Sequence, residues 1–354
     1  MFKKLGLAVF ALLAIGIIFL TAGFLVKVAL SPFQGPGAPR EIIEVTRGTT
    51  PMAVSQALQS HHLVNDARIF YWIGKIRGSW GHLKAGDYEV SASMTPFQIL
   101  DRLTSGISVT YPFLVREGEN SYEIAKDLES RGYGRAVDFE KLIRNPTFIH
   151  ELGLTDPPST LEGYLFPDTY LLSKKMSQKE IAHLMVKHFQ KNWGPNEEAR
   201  AKELGMTRNS IVILASIVEK ETGAPEERAT ISGVFHNRLK KKMKLQSDPT
   251  SIYGIWNRYD GNIHRTDLLN PNPYNTYYVP ALPIGPISNP GREAIQAALY
   301  PSEHHYLYFV SKNDGTHIFS ANYEEHNRAV KDFQINAKAR EGKSWRDLNK
   351  RSKP

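Results

Sequence analysis

The sequence predicts an α+β protein with a single membrane-spanning helix at its N-terminus. Three observations indicate this class: a long uncharged run near the start, apolar residues at helical spacing through most of the chain, and short strand-like segments set off by Gly and Pro. With 354 residues, 41% of them hydrophobic and 23% charged, the chain is long enough for two domains with ordinary globular cores.

The first predicted element is a transmembrane helix within the uncharged run 5–26, which lies between Lys4 and Lys27. At 1.5 Å per residue a helix of this length reaches about 33 Å, enough to cross the apolar part of a bilayer. Lys3 and Lys4 favour a cytoplasmic N-terminus. The alternative is a cleaved signal peptide, but the run is longer than a usual signal core and no clear Ala-x-Ala site follows it. We therefore expect 1–30 to be a cytoplasmic tip and membrane anchor, and the rest to lie outside the cytoplasm.

The charge and the cysteine content of the sequence limit which kinds of binding partner and which kinds of reactive site are expected. The net charge of +8 suggests anionic surroundings, such as nucleic acid, a membrane surface or an acidic wall polymer. Because the folded part is expected outside the cytoplasm, no nucleic acid partner is predicted. The absence of cysteine excludes disulfides and a thiolate site. No paired histidine spacing and no nucleotide-binding motif is present, so the sequence predicts neither a metal nor a cofactor.

The next predicted segment, 31–40, is rich in Pro and Gly and is typical of a linker. It leads into a compact α+β unit at 41–108. The predicted elements of this unit are a strand at 42–45, helices at 50–60 and 67–76, a turn and strand at 83–90, and a helix at 95–103 that ends at Gly106.

A larger mixed helical and short-strand domain is predicted at 109–337, followed by a charged tail at 338–354. Its predicted elements are helices at 119–129, 138–144, 177–192, 196–205, 207–222 and 225–239, two further helices starting near Pro290 and Asn322, an extended aromatic segment at 161–172 and a hairpin around 313–315. Residues 246–286 are predicted to be largely loop. This loop is longer than a typical connection, and its many tyrosines argue against disorder, so we expect it to be functional.

Two carboxylates, Glu219 and Glu221, lie at the end of the apolar helix predicted at 207–222. A carboxylate on an apolar surface loses water, which raises its pKa and suits it to act as a general acid. Stepping about 100° per residue from Ile211 places Glu219 near 80° and Glu221 near 280°, on nearly opposite sides. They are therefore not expected to act as a pair. At most one is expected to face a cleft, with the other an anchor that pairs with a base such as Arg228 or caps a neighbouring helix. The alternative is that both form ordinary salt bridges.

The loop 246–286 and its surroundings offer side chains suited to binding a sugar. Hydroxyls, amides and carboxylates bind sugar hydroxyl groups, and aromatic faces pack on the sugar ring. The candidate substrate-binding residues are Asn237, Gln246, Ser247, Asp248, Thr250, Tyr253, Tyr274, Asn275, Thr276 and Tyr277. The alternative is a tyrosine-rich loop that packs on the core, with Asn and Asp in its turns.

Six motifs follow one another along the chain. They are Leu161–Tyr170, Ala215–Thr222, Phe235–Leu239, Leu245–Thr250, Tyr274–Tyr277 and Leu282–Ile287. In this order they resemble the endolytic murein transglycosylase family (YceG-like), and the resemblance extends from the anchor to about residue 335. It implies that 41–108 is a LysM-like peptidoglycan-binding subdomain, that 109–337 is the catalytic domain and that Glu219 is catalytic. One departure, Ile284 in place of a Pro common in the family, concerns loop shape rather than chemistry.

The resemblance also implies the reaction and its place in the cell. The expected enzyme is a membrane-anchored lytic transglycosylase that cleaves the bond between N-acetylmuramic acid (MurNAc) and N-acetylglucosamine (GlcNAc) within nascent glycan strands. It would leave 1,6-anhydro-MurNAc ends and terminate or trim strand elongation. Its location would be the bacterial inner (plasma) membrane with the catalytic domain in the periplasm or outside the cell, and its partners peptidoglycan synthases of the elongation and division machinery. Two alternatives stay open: a hydrolase of the same bond with Asp248 as second carboxylate, and a non-catalytic wall-binding scaffold.

Overall fold

The structure is a computed structural model that describes residues 15–17, 20–21, 23–24, 26–46, 48–154 and 156–336. Most of the anchor predicted at 5–26, and the charged tail predicted at 338–354, lie outside the described residues. The described residues between 15 and 30 are helical. Within the part of the chain described, no helix combines the length and the apolar character needed to cross a bilayer.

The described chain is a mixed α+β protein, as predicted, and it divides into two compact units. The smaller unit comprises Met1–Pro112 together with Leu171–Met176. The larger unit comprises Phe113–Tyr170 and Ser177–Pro354.

The smaller unit is built on two antiparallel strands and three helices. In chain order these are β1 (Arg40–Val45), α1 (Pro51–Ser60), α2 (Ala67–Ile76), β2 (Gly86–Ser91) and α3 (Pro96–Ser105). Strands β1 and β2 pair with Ile43 opposite Tyr88, and both side chains lie in the core. The helix α3 begins at a capping box formed by Thr95 and Gln98 and ends at Gly106 in the left-handed conformation, as predicted. The LysM-like character of this unit stays a prediction.

The larger unit is mostly helical. Its helices are α4 (Ser121–Ser130), α5 (Ala136–Leu142), α6 (Pro146–Glu151), α7 (Gln178–Asn192), α8 (Pro195–Glu203), α9 (Arg208–Glu221), α10 (Arg228–Lys240), α11 (Asp248–Gly254), α12 (Arg265–Leu268), α13 (Arg292–Leu299) and α14 (Tyr323–Val330). Strands β3 (Tyr111–Leu114) and β4 (Thr169–Leu172) pair with each other, and the chain passes between the units within each of them. Strands β5 (Tyr308–Ser311) and β6 (His317–Ser320) form the predicted hairpin.

The helix α9 is the centre of the larger unit. Thr207 caps its start by accepting a hydrogen bond from the Ser210 backbone, as predicted. Every residue from Ile211 to Val218 is buried, and the helix packs against α10, α11 and α13. A helix that is apolar on all sides must be surrounded by protein, and in α9 only the residues at its two ends approach solvent.

Three predicted elements differ from those observed. The aromatic segment 161–172 is extended only at Thr169–Leu172. The predicted loop 246–286 contains α11, a 3₁₀ turn at Trp256–Arg258 and α12. The helix predicted from Pro290 begins two residues later, because Gly291 adopts an extended N-cap conformation and directs its N–H elsewhere.

Candidate active site

Glu219 is held where α9 ends, with only 9% of its side chain exposed. One carboxylate oxygen, Oε2, accepts the backbone N–H of Gly291 at 3.0 Å. The other, Oε1, lies 3.8 Å from Nη2 of Arg228, which is too long for a hydrogen bond but close enough for electrostatic attraction. A single backbone donor therefore fixes the carboxylate while leaving it poorly hydrated.

This environment shifts the proton affinity of Glu219 upward. Burial raises the pKa of the Glu219 carboxyl, and the negative charge of Glu117 raises it further. The Gly291 N–H and the positive charges of Arg228 and Lys220 act in the opposite direction, but burial is the larger effect and the pKa is raised overall. A carboxyl group that keeps its proton at higher pH is what a general acid requires.

Two loops flank the Glu219 carboxylate and are bonded to each other. The Gly118 N–H donates to the Asn289 carbonyl at 2.9 Å, and the Asn289 N–H donates to the Glu119 carbonyl at 2.9 Å. Nζ of Lys220 donates to the Gly118 carbonyl at 3.1 Å, which ties the end of α9 to the same loop. A side chain at Gly291 would overlap the carboxylate of Glu117 and would have to displace that exposed side chain.

Glu162, which was not predicted as a site residue, is a fully buried carboxylate beside these loops. It accepts hydrogen bonds from the Ser121 hydroxyl at 2.7 Å, the Tyr253 hydroxyl at 2.7 Å and the Asn289 amide at 3.1 Å. The Ser121 N–H donates to it as well. Burial raises the pKa of Glu162 overall, while the hydrogen bonds from Ser121 and Tyr253 favour its charged form and act in the opposite direction. Glu162 thus joins α4, α11 and the loop that carries Gly291.

Asn289 extends this network to the motif that contains Glu162. Its amide oxygen accepts the N–H groups of Gly163 and Leu165, both at 2.9 Å. Gly163 has φ of +85°, and a side chain there would overlap Pro286 and Val212. The signal available in the sequence was an acidic residue at the start of the otherwise apolar and aromatic run 161–166, which a solvated loop does not explain.

Several predicted sugar-binding residues instead bond to one another. The Ser247 N–H donates to the Thr276 hydroxyl at 2.9 Å, and the hydroxyls of Thr250 and Thr276 are 2.8 Å apart. The side-chain amide N–H of Asn275 donates a hydrogen bond to the Leu268 carbonyl, and the Ser251 hydroxyl donates one to the Asn275 amide oxygen. Each of these side chains is buried, so they hold the loop backbone, which lacks the regular hydrogen bonds of a strand or long helix.

The remaining predicted residues separate into two groups. The Tyr253 hydroxyl donates a hydrogen bond to Glu162, and its ring packs edge-on against that of Tyr274. The Asn237 amide donates hydrogen bonds to the carbonyls of His304 and Tyr306. By contrast Gln246 and Asp248 are exposed and line a cavity of about 330 Å³ together with Tyr277. Tyr277 donates its hydroxyl to Asp248 at 2.7 Å.

Glu221 lines this cavity and shares none of the contacts described for Glu219. Its Oε1 accepts the Ser247 hydroxyl at 2.6 Å. Arg228, expected from the sequence to pair with whichever glutamate is an anchor, lies beside Glu219, and the guanidinium that acts on Glu221 is that of Arg238. The expectation for Arg228 was wrong because α10 turns its first residue toward the end of α9, and Arg238 lies ten residues further on.

Replacing Glu221 with Gln should flatten the pH dependence of stability. Burial, with a contribution from the Asp248 charge, raises the pKa of Glu221 to about 7. The folded protein therefore keeps this proton up to about pH 7, whereas the unfolded chain releases it near the ordinary value of 4.5. The free energy of unfolding of the wild-type protein should fall as the pH rises through this window. In E221Q the same fall should be smaller by ~1–3 kcal/mol, because the group that titrates is gone.

The measurement is urea unfolding of wild type and E221Q at pH 4.5, 6 and 8. At pH 8 the variant should be the more stable of the two. Glu203→Gln, which changes an exposed carboxyl group, is the control and should follow wild type throughout. Parallel stability curves for wild type and E221Q would contradict the raised pKa.

The carboxylates of the larger unit do not combine with histidines into a metal centre within the described part of the chain. Among those residues, no three His, Asp or Glu side chains lie close enough together to hold a metal ion. Three of these carboxylates have partners of other kinds. Glu219 has a backbone N–H and a nearby guanidinium, Glu162 has hydroxyl and amide donors, and Glu221 has a hydroxyl donor.

Comparison with known proteins finds relatives that all belong to one kind of protein. The profile of the YceG-like family matches residues 43–332. An endolytic murein transglycosylase of Bacillus subtilis is 31% identical over 322 residues, which cover 87% of this chain and 88% of the relative. An endolytic murein transglycosylase of Streptococcus pneumoniae is 28% identical over 88% of this chain, although the match covers only 61% of that longer relative.

A solved structure shows the same resemblance. The crystal structure of a YceG-like protein from Listeria monocytogenes, determined at 2.6 Å, superimposes with a TM-score of 0.56 at 31% sequence identity. The match covers 82% of this chain and 98% of the Listeria chain.

Proposed function

Because the chain belongs to the YceG-like family, we propose that Glu219 is the single acid and base of a lytic transglycosylase that cuts peptidoglycan within its glycan strands. The enzyme class is that of its relatives, a lytic murein transglycosylase. The observation that supports Glu219 is its position: a nearly buried carboxyl group with a raised pKa, fixed by a backbone N–H at the C-terminal end of α9.

The reaction begins with protonated Glu219. The carboxyl proton passes to the glycosidic oxygen as the bond from that oxygen to C1 of MurNAc breaks, which leaves positive charge on the sugar ring. The C6 hydroxyl of the same MurNAc then attacks C1. Its proton passes to the Glu219 carboxylate, which restores the acid, and the product is a 1,6-anhydro sugar. No water is consumed.

An intramolecular nucleophile explains why one carboxylate is enough. The C6 hydroxyl is already attached to the reacting sugar, so its effective concentration is high. A hydrolase needs a second carboxyl group to activate water or to form a covalent intermediate. The candidate predicted for that role, Asp248, belongs to the cavity of Glu221 and accepts the Tyr277 hydroxyl.

The cellular setting is part of the same proposal. The uncharged run 5–26 anchors the enzyme in the inner (plasma) membrane with its N-terminus in the cytoplasm. The unit at 41–108 binds peptidoglycan as a LysM-like subdomain. Cleavage then occurs on nascent strands near the membrane, beside the synthases of elongation and division, and terminates or trims strand growth.

The mass of the cleavage products tests the reaction type. Purified protein incubated with intact sacculi should release fragments with anhydro ends, each lighter by one water than the product of hydrolysis. Fragments with reducing MurNAc ends would show a hydrolase, and Asp248→Asn should then lose activity. Binding to sacculi without any cleavage would favour the scaffold alternative. Glu219→Gln is the matched inactive control, and cleavage that persists in it would exclude Glu219 as the acid.

A further inference from the structure

The cavity of Glu221 is a second polar and aromatic site in the larger unit, and the mechanism at Glu219 does not use it. It measures about 330 Å³, near the lower end of the usual size range of small-molecule sites, about 300–1,000 Å³. Its lining residues include Glu221, Arg238, Gln246, Asp248, Tyr308 and Tyr323. None of them is among the residues that contact the Glu219 carboxylate.

One wall of the cavity is aromatic. The rings of Tyr308 and His326 are stacked with centroids 5.1 Å apart and an interplanar angle of 25°. Tyr323 packs against both rings, yet 63% of its own surface is exposed. An exposed tyrosine held in place by two neighbours offers a flat apolar face with little loss of conformational entropy on binding.

The rest of the lining includes polar groups with unused hydrogen-bonding capacity. Glu221 accepts the Ser247 hydroxyl through Oε1, and Asp248 accepts the Tyr277 hydroxyl through Oδ1. Within the described residues the second oxygen of each carboxyl group has no hydrogen-bond donor. The side-chain amide of Gln246 is exposed and likewise makes no hydrogen bond there. Two carboxyl oxygens and one amide can therefore bind hydroxyl and amide groups of a ligand.

The balance of charge favours a neutral ligand. The guanidinium of Arg238 is buried and bonded to the carbonyls of Leu307 and Leu245, so it is a fixed positive charge in the floor. It offsets one of the two carboxylates, and the raised pKa of Glu221 keeps that group partly protonated near neutral pH. Little net charge is left to attract an ammonium group, and the remaining carboxylate disfavours an anion.

We propose that this cavity binds one N-acetylhexosamine ring, separately from the chemistry at Glu219. Tyr323 packs on the apolar face of the ring, while Glu221, Asp248 and Gln246 bind its hydroxyl and acetamido groups. This inference rests on the proposed function, because the glycan strand is the source of the sugar. A second sugar contact would let the enzyme hold a strand by a ring other than the two that flank the bond being cut.

Binding of tetra-N-acetylchitotetraose tests the site. The ligand is titrated into full-length Glu219→Gln protein by calorimetry, so that no cleavage interferes. Tyr323→Ala and Gln246→Ala, introduced in that background, should each weaken binding at least about 10-fold. Tyr300→Ala is the matched control, because Tyr300 is 51% exposed and lies outside the cavity, and it should leave affinity unchanged. No detectable binding, or equal affinity in all variants, would overturn the proposal.

Two further measurements identify the ligand class and separate this proposal from the one for Glu219. Fully deacetylated chitotetraose, which carries ammonium groups, should bind more weakly, and tighter binding would show a cation site instead. In the wild-type background Tyr323→Ala should raise KM for strand cleavage more than it lowers kcat. If Glu219→Gln still cleaves strands, the assignment of the acid fails while the binding result stands. If Glu219→Gln is inactive and Tyr323→Ala binds normally, only the cavity proposal fails.

Discussion

Glu219→Gln should lower the rate of glycan cleavage by about 100- to 10,000-fold, the usual contribution of a general acid and base. Gln keeps the shape of the side chain and can still accept the Gly291 N–H, so the fold should survive. What is lost is the proton that must reach the glycosidic oxygen. The measurement is the rate of release of anhydro muropeptides, and thermal unfolding of both proteins verifies that the loss is not due to misfolding.

The pH dependence of the rate gives this prediction a second readout. Because the acid must be protonated, the rate should fall as the pH rises through the raised pKa of Glu219. Arg228 lowers this pKa, so Arg228→Gln should move the alkaline limb of the profile to higher pH. Glu117 raises it, so Glu117→Gln should move the limb to lower pH. Shifts of the same sign in both variants would show that Glu219 does not set the profile.

Glu162→Ala should destabilise the larger unit by about 3–5 kcal/mol, because it removes a buried acceptor and leaves several donors unpaired. The donors are the Ser121 N–H and hydroxyl, the Tyr253 hydroxyl and the Asn289 amide. Glu162→Gln should cost less, about 1–3 kcal/mol, since one oxygen is retained. Urea unfolding measures both. Glu203→Ala, which removes an exposed partner of Arg200, is the control and should cost at most about 1 kcal/mol.

Glu162 should also affect catalysis through its position beside the Gly291 loop. In Glu162→Gln the Asn289 amide loses its carboxylate partner, and the Gly291 N–H is expected to fit Glu219 less well. Since that N–H lowers the pKa of Glu219, the alkaline limb of the rate profile should move to higher pH. An unchanged profile in folded Glu162→Gln protein would show a purely structural role.

The helix α9 shows what a single sequence can predict. Its cap at Thr207, its buried body and the separation of Glu219 from Glu221 all follow from local spacing, because a helix fixes the direction of each side chain. The role of Glu162 does not follow, since its partners lie 41, 91 and 127 positions away. Local spacing carries no information about such contacts.

The loop 246–286 shows the converse error. Its hydroxyls and amides are the right types to bind a sugar, and residue type alone cannot tell whether they face a ligand or the loop itself. Irregular backbone inside a protein needs partners for its own N–H and C=O groups. The side chains of Thr250, Asn275 and Thr276 supply such partners and become buried. Gln246 and Asp248, at the start of the loop, do present side chains to a cavity, together with Tyr277.

The spread of the Glu162 contacts along the chain has a consequence for folding. The Glu219 carboxylate, the proposed acid, receives a backbone N–H from a residue 72 positions later, and the loop carrying that donor is fixed by Glu162, 127 positions before Asn289. Contacts of such large sequence separation form late, after the loops between them have closed. A chain that has been synthesised only as far as α9 holds Glu219 but not its environment. On the proposed role of Glu219, the protein therefore becomes competent to cut peptidoglycan only when its larger unit is complete.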